Sequence, residues 1–201
     1  MIAFDTTALS ILFLPGAKVC RVGSATPIKL AAERMEALVR KISSERDTII
    51  IPAPALSELL VQVPSDKIAD LLVQLDTSRW FRVEAFDAAA AVELATRTAA
   101  ALAAKEKREG LEVTPWQKIK FDRQIVAIAI VSGATELISD DPDVDHIGKR
   151  WGIRVSSVAD LPIPPEYEPP PLLKHLEDEE EQVGKLEGAD PGPGVQSPSP
   201  E

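Results

Sequence analysis

The residues with the clearest chemical potential are a run of acids in the stretch LISDDPDVDHIGKRWG, residues 137–152. The acids are Asp140, Asp141, Asp143 and Asp145. The last three occupy alternate positions, as do the first three ligands of an EF-hand calcium loop. That loop also requires a glycine at its sixth position and a glutamate at its twelfth, where this chain has His146 and Gly152. The calcium loop is excluded, which leaves either a solvated acidic turn or part of a site to which other acids contribute.

Short β-rich runs alternate with longer helical patterns along the chain. The predicted strands are residues 2–5, 48–53, 81–86, 135–139 and 153–158. The predicted helices are residues 27–45, 65–75, 87–109 and 121–133, with a further short helix directly after the second strand. Ser65 and Asp87 are expected N-caps, and Gly110 and Gly133 are expected to end the last two long helices. This alternation predicts an α/β domain with a mostly parallel central sheet covered by helices on both faces.

In such a sheet, the carboxyl ends of the strands meet at one edge, and ligands bind there. The acids predicted at this edge are Asp5 after the first strand, Glu58 after the second, Asp140 and Asp141 after the fourth, and Asp122 at the start of the helix 121–133. Carboxylates brought together repel each other unless a cation is present, and their oxygens suit Mg²⁺ or Mn²⁺. A metal held in this way can polarise a phosphate and activate water. Alternatively, Asp5 and Asp122 could simply cap helices, and Glu58 could be an ordinary exposed residue.

Four motifs, taken in order, resemble those of PIN-domain ribonucleases and, within that family, the VapC-type toxins of toxin–antitoxin pairs. The matching residues are Asp5 and Thr6 in IAFDTTALS, Glu58 in ALSELL, Asp122 in KFDRQIVAIAIVSGA, and Asp141 in LISDDPDVD, with Ser139 in the position of a threonine. The chain departs from the family pattern at Pro142 and Val144, where the family continues directly to an aromatic residue or leucine. The fourth metal ligand could therefore be Asp140, Asp141 or Asp143.

The resemblance implies a PIN-like three-layer fold over residues 1–161 and a metal-dependent endoribonuclease activity. The implied catalytic residues are Asp5, Glu58, Asp122 and Asp141, and the implied metal ligands are Asp5, Asp122, Asp140 and Asp141. Mg²⁺ or Mn²⁺ is the expected cofactor and RNA the expected substrate. A cognate antitoxin protein and a second copy of the chain, in a homodimer, are the expected partners.

Basic and aromatic residues surround Asp122 in the segment TPWQKIKFDRQ. Cations beside an acidic metal site allow a polyanion to approach, and an aromatic ring can stack on an unpaired base. Trp116 is expected either to stack in this way or to pack on the body of the domain. The predicted substrate-binding residues are Lys118, Lys120, Arg123, Thr6 and Ser139, with Thr6 orienting a carboxylate or a water.

Two other functions remain open. A phosphatase with an aspartate nucleophile also places that residue after a first strand, as in FDTTALS, but Thr7 stands where its second acid commonly lies. A non-catalytic binding module would keep the fold and use its acidic site or tail to recruit partners. Metal-dependent cleavage of RNA separates these possibilities from the nuclease.

The net charge of −10 is concentrated at the end of the chain. Residues 162–201 contain ten acids and two lysines, a charge of −8, which leaves −2 for residues 1–161. The same segment holds ten of the 17 prolines, so we predict a disordered acidic tail. The body is nearly neutral, and composition therefore does not exclude a nucleic-acid partner. The single cysteine, Cys20, the absence of a signal peptide and the absence of a long apolar run predict a cytoplasmic protein.

Overall fold

The computed structural model describes residues 1–20 and 26–168, and residues 1–164 form one compact unit. Its sheet has five strands: β1 (Ile2–Phe4), β2 (Ile49–Pro52), β3 (Phe81–Glu84), β4 (Glu136–Ile138) and β5 (Arg154–Ser156). The strand order is β3-β2-β1-β4-β5, and every neighbouring pair is parallel. The predicted α/β class with a parallel sheet flanked by helices is therefore confirmed.

Seven α-helices connect and cover these strands. They are α1 (Thr6–Phe13), α2 (Ala31–Ser44), α3 (Ala53–Gln62), α4 (Ile68–Thr77), α5 (Ala88–Ala103), α6 (Trp116–Val131) and α7 (Pro142–Trp151). A short 3₁₀ helix, Val158–Asp160, follows β5. Beyond residue 164, the described residues contain one more 3₁₀ turn, Pro165–Tyr167. The predicted disordered tail at 162–201 lies, from residue 169 onward, outside the described residues.

The core lies between the central strands and the helices that pack on them. Ile49, Ile50 and Ile51 of β2 are fully buried, as expected for a strand covered on both faces. Helix α6 is buried along most of its length and contacts α3, α5 and α7. Its central position explains why the run IVAIAIV is apolar on most faces of the helix.

Four predicted helix boundaries are wrong. Helix α2 begins at Ala31 rather than at residue 27. Helix α6 begins at Trp116 rather than at residue 121, because Trp116 and Ile119 pack on the core and extend the packed face by more than a turn. Helix α5 ends at Ala103, so Gly110 does not close it; a series of turns with positive φ at Lys105 and Glu109 follows instead. Helix α4 begins at Ile68, and Ser65 lies ahead of it without capping it.

Helix α7 was not predicted, since its first residues were interpreted as a turn. It is amphipathic, and Val144, Ile147 and Trp151 are buried against the core. Asp141 caps its N-terminus by accepting a hydrogen bond from the Asp143 amide (2.8 Å). Within residues 1–20 and 26–168, no helix is long and apolar enough to cross a membrane.

Candidate metal centre

The sheet has a switch point between β1 and β4, because the chain runs from β1 to β2 and β3 on one side and from β4 to β5 on the other. Crevices in parallel α/β sheets form at the carboxyl ends of the strands at such a point. Asp5 directly follows β1, and residues 139–141 directly follow β4. The two strand ends are joined by a hydrogen bond from the Asp5 amide to the carbonyl of Ile138 (3.2 Å). The predicted convergence of acids thus begins with these two neighbouring strands.

Asp5 is a buried carboxylate, 2 % exposed, whose two oxygens are both hydrogen-bonded. One oxygen accepts from the Ala8 amide (3.0 Å) and the Thr7 hydroxyl (2.7 Å), and the other accepts from the Ser139 hydroxyl. Burial raises the pKa of Asp5 to about 6; the hydrogen bonds oppose this rise, and repulsion from Asp141 adds to it. Asp5 therefore caps α1, as one alternative expected, and also lies beside the acids that follow β4.

Three further carboxylates form a compact group, which we call the acidic triad: Asp122, Asp141 and Asp143. One oxygen of each lies within 4.8 Å of an oxygen of the others. Asp122 is 5 % exposed and lies in the second turn of α6, so the prediction that it opens the helix is wrong. Burial raises the pKa of Asp122 to about 6; Lys118 opposes this rise, and repulsion from Asp141 and Asp143 adds to it.

The side chain of Lys118 lies between the three carboxylates of the acidic triad. Its ammonium nitrogen is 2.9 Å from Asp122, 2.9 Å from Asp141 and 2.7 Å from Asp143. Burial lowers the pKa of Lys118, but the hydrogen bonds to the three aspartates outweigh that effect and raise it well above the usual range for lysine. The predicted substrate-binding lysine is therefore held within the site rather than extended toward a substrate.

The two candidates adjacent in sequence, Asp140 and Asp141, point in different directions. Asp140 accepts hydrogen bonds from the Ser157 hydroxyl and from the Val158 amide (3.1 Å), and burial raises its pKa. Asp141 faces the site with Ser139, whose hydroxyl accepts from the Asp141 amide (3.0 Å). Side chains alternate along an extended segment, so neighbouring residues face opposite ways. Asp140 is thus not among the acids brought together, and the prediction that it is a metal ligand is not supported by its position.

Asp143, one of the three candidates for the fourth metal ligand, belongs to the acidic triad together with Asp141. The Thr114 hydroxyl donates to its second oxygen (3.1 Å) and fixes its orientation. The signal that would have revealed this position is the apolar spacing of Val144, Ile147 and Trp151, which predicts a helix starting next to Asp141.

Glu58 lies at the margin of the site. It is exposed and does not belong to the acidic triad, but its carboxylate accepts a hydrogen bond from the Thr6 hydroxyl. Because Thr6 follows Asp5, this bond connects α3 to the start of α1 next to the buried acid. The expected role of Thr6 in orienting a carboxylate agrees with this contact.

The remaining basic candidates differ in exposure. Arg123 is 2 % exposed and forms an ion pair with Glu109 (2.7 Å), so it is a core residue rather than a substrate contact. Lys120 is exposed, and its ammonium lies 5.7 Å from the centre of the Trp116 ring. Lys107 approaches the same ring at 4.8 Å. Trp116 packs against the hydrophobic core, as one of the two alternatives for this residue expected.

The donor set of the acidic triad fits a hard divalent cation. All its donors are carboxylate oxygens, the ligands that Mg²⁺ and Mn²⁺ prefer, and the ammonium among them shows that the position accommodates positive charge. Asp5 provides a further negative charge close to Asp141. No protein-family model matches the chain, and neither does any curated protein. The similarity to PIN-domain ribonucleases consequently rests on the four motifs alone.

Proposed function

We propose that this chain is a metal-dependent endoribonuclease that hydrolyses RNA phosphodiester bonds at the acidic triad. The observation that carries the proposal is the convergence of Asp5, Asp122, Asp141 and Asp143, from three separate parts of the chain, on the switch point of a parallel sheet. The RNA substrate is inferred from the resemblance of the four motifs to those of PIN-domain ribonucleases. A VapC-like role, with an antitoxin partner, a homodimer and a cytoplasmic location, belongs to the same proposal.

In this mechanism, Asp122, Asp141 and Asp143 would hold Mg²⁺ or Mn²⁺. When bound, the metal supplies an activated water and stabilises the charge that develops on the phosphate. Ser139 and Thr7 hold the Asp5 carboxylate in place through hydrogen bonds, and Asp5 adds negative charge that favours cation binding. Thr6 orients Glu58 at the margin of the site.

The phosphatase alternative is disfavoured by the environment of Asp5. A nucleophilic carboxylate must present an oxygen to the substrate, but both oxygens of Asp5 accept hydrogen bonds within the protein and the residue is 2 % exposed. The binding-module alternative has one specific observation in its favour. Lys118 already supplies a cation to the acidic triad, so the site is partly neutralised without a metal.

Cleavage of a single-stranded RNA in the presence of Mg²⁺, Mn²⁺ or a chelator tests the proposal. The wild-type chain should cleave only with metal, and Asp122→Asn should lose at least about 100-fold in rate, the scale on which removal of a transition-state-stabilising group acts. Asp145→Asn is the matched control, since this acid lies on α7 but pairs with Lys149 (2.7 Å) outside the acidic triad. Metal-independent cleavage, or equal loss in both variants, would contradict the assignment.

A further inference from the structure

The ammonium group of Lys118 has a complete set of partners inside the acidic triad. A lysine ammonium has three hydrogen-bond donors, and here each of the three carboxylates of the acidic triad has an oxygen within 2.9 Å of the nitrogen. The contacts come from α6, through Asp122, and from the start of α7, through Asp141 and Asp143. Lys118 therefore connects the two helices at the position where their negative charge is most concentrated.

A divalent ion and this ammonium cannot be held by the same oxygens at once. Carboxylate oxygens approach Mg²⁺ to about 2.1 Å, which is closer than they approach the Lys118 nitrogen. An ion coordinated by Asp122, Asp141 and Asp143 would consequently take the space that the ammonium fills. The two cations would also repel each other across that distance.

Lys118 can leave the acidic triad without removing the hydrogen bonds that orient Asp141 and Asp143. Its side chain is 39 % exposed, and four methylene groups separate the ammonium from the backbone of α6. Asp141 is independently oriented by the Asp143 amide (2.8 Å), and Asp143 by the Thr114 hydroxyl (3.1 Å). Asp141 and Asp143 thus keep these hydrogen bonds when the lysine moves to solvent.

We propose that Lys118 is a built-in competitor for the metal: its ammonium is the resident counter-ion of the acidic triad, and a divalent ion binds only by displacing it. This inference rests on the proposed function, since it concerns the same three carboxylates. It assigns Lys118 a role in setting the metal concentration at which the site fills. The lysine partly neutralises the acidic triad when metal is scarce. Its displacement places a mobile cation at the mouth of the site.

Binding of Mn²⁺ and of Mg²⁺ without RNA, measured by calorimetry and by the shift in melting temperature, tests this role. Lys118→Met, which keeps the length of the side chain and removes its charge, should bind Mn²⁺ at least about tenfold more tightly than wild type. It should also melt at a lower temperature in chelator, because the three carboxylates then lack a counter-ion. Lys118→Gln, which retains donors without the charge, should show the same gain in affinity and guards against a folding defect in the first variant.

Lys149→Met is the matched control. Lys149 forms the same type of i,i+4 pair with an aspartate (2.7 Å to Asp145), but on an exposed face of α7 away from the acidic triad. Its removal should leave metal affinity unchanged. If it tightens binding as much as Lys118→Met does, a general change of net charge explains the effect and the proposal fails.

The outcomes separate this proposal from the nuclease proposal. If wild type binds metal and neither Lys118 variant binds it more tightly, the competitor role is wrong and the nuclease proposal stands. If a Lys118 variant binds metal and wild type does not, the competitor role is supported, and the natural chain is a non-catalytic module whose site is closed by its own lysine. If none of the proteins binds metal, both proposals fail.

Discussion

The Asp5→Asn variant tests whether the charge of the buried Asp5 carboxylate lowers the stability of the fold. The carboxylate is 2 % exposed, and burial raises its pKa from 3.8 to about 6 although three donors hydrogen-bond to it. In the absence of a metal, its charge is therefore poorly compensated at neutral pH. Asparagine has nearly the same shape, so the Asp5→Asn variant removes the charge and can still accept hydrogen bonds from Ala8 and Thr7.

The pH dependence follows from the direction of this shift. An aspartate with a raised pKa in the folded state binds protons more tightly when folded, so its ionisation destabilises the protein as pH rises from about 4 to above 6. Each pKa unit corresponds to about 1.4 kcal/mol, which gives at most about 3 kcal/mol of relief in Asp5→Asn at pH 8. The relief should shrink as the pH falls and vanish only below the unfolded-state pKa of 3.8, where the wild-type carboxyl is protonated in both the folded and the unfolded state.

Thermal and urea unfolding in chelator, at pH values from 4 to 8, measures this difference. The expected gain is about 1–3 kcal/mol, and each kcal/mol raises the melting temperature of a domain of this size by roughly 2–4 °C. Asp76→Asn, at an exposed position on α4, is the control and should show no such pH-dependent gain. Added Mn²⁺ should stabilise wild type more than Asp5→Asn. Asp5→Asn could instead be less stable than wild type, by the same amount at pH 8 as at pH 4. In that case the charge of Asp5 does not destabilise the fold, and the proposed cause of its raised pKa is wrong.

Two further predictions concern the elements that support the site. Glu109→Gln leaves the buried guanidinium of Arg123 without its ion partner and should lower the free energy of unfolding by about 3–5 kcal/mol in urea, whereas Glu106→Gln, at an exposed position, should change it by less than about 0.5 kcal/mol. Gly148→Ala places a methyl group against the Val155 side chain and should lower stability by about 1–3 kcal/mol. Combining it with Val155→Ala should recover part of that loss, and a purely additive loss would show that the clash is not the cause.

The sequence by itself determined the class of the fold and the approximate position of the site. Runs such as TIIIPA are too short and too rich in β-branched residues to be helices, and their alternation with helical stripes leaves a parallel α/β sheet as the consistent arrangement. The positions of Asp5 and Asp141 follow from the same local pattern, because Asp5 directly follows β1 and Asp141 lies three residues beyond the end of β4. Capping by Asp87 was also predictable, since its carboxylate needs only the amide of Ala90 three residues later.

Only the tertiary structure decided which charged side chains share the site. Asp122 and Arg123 are adjacent, but successive residues of a helix point about 100° apart, so Asp122 faces the acidic triad while Arg123 faces Glu109. Asp140 and Asp141 diverge for the same reason along an extended segment. Helix α7 escaped prediction because its sequence is rich in charge and its stability comes from packing Val144, Ile147 and Trp151 into the core. A helix that is stabilised mainly by burial can be recognised in the sequence only from the spacing of its apolar residues. The position of Lys118 among three carboxylates depends on how two such helices pack together.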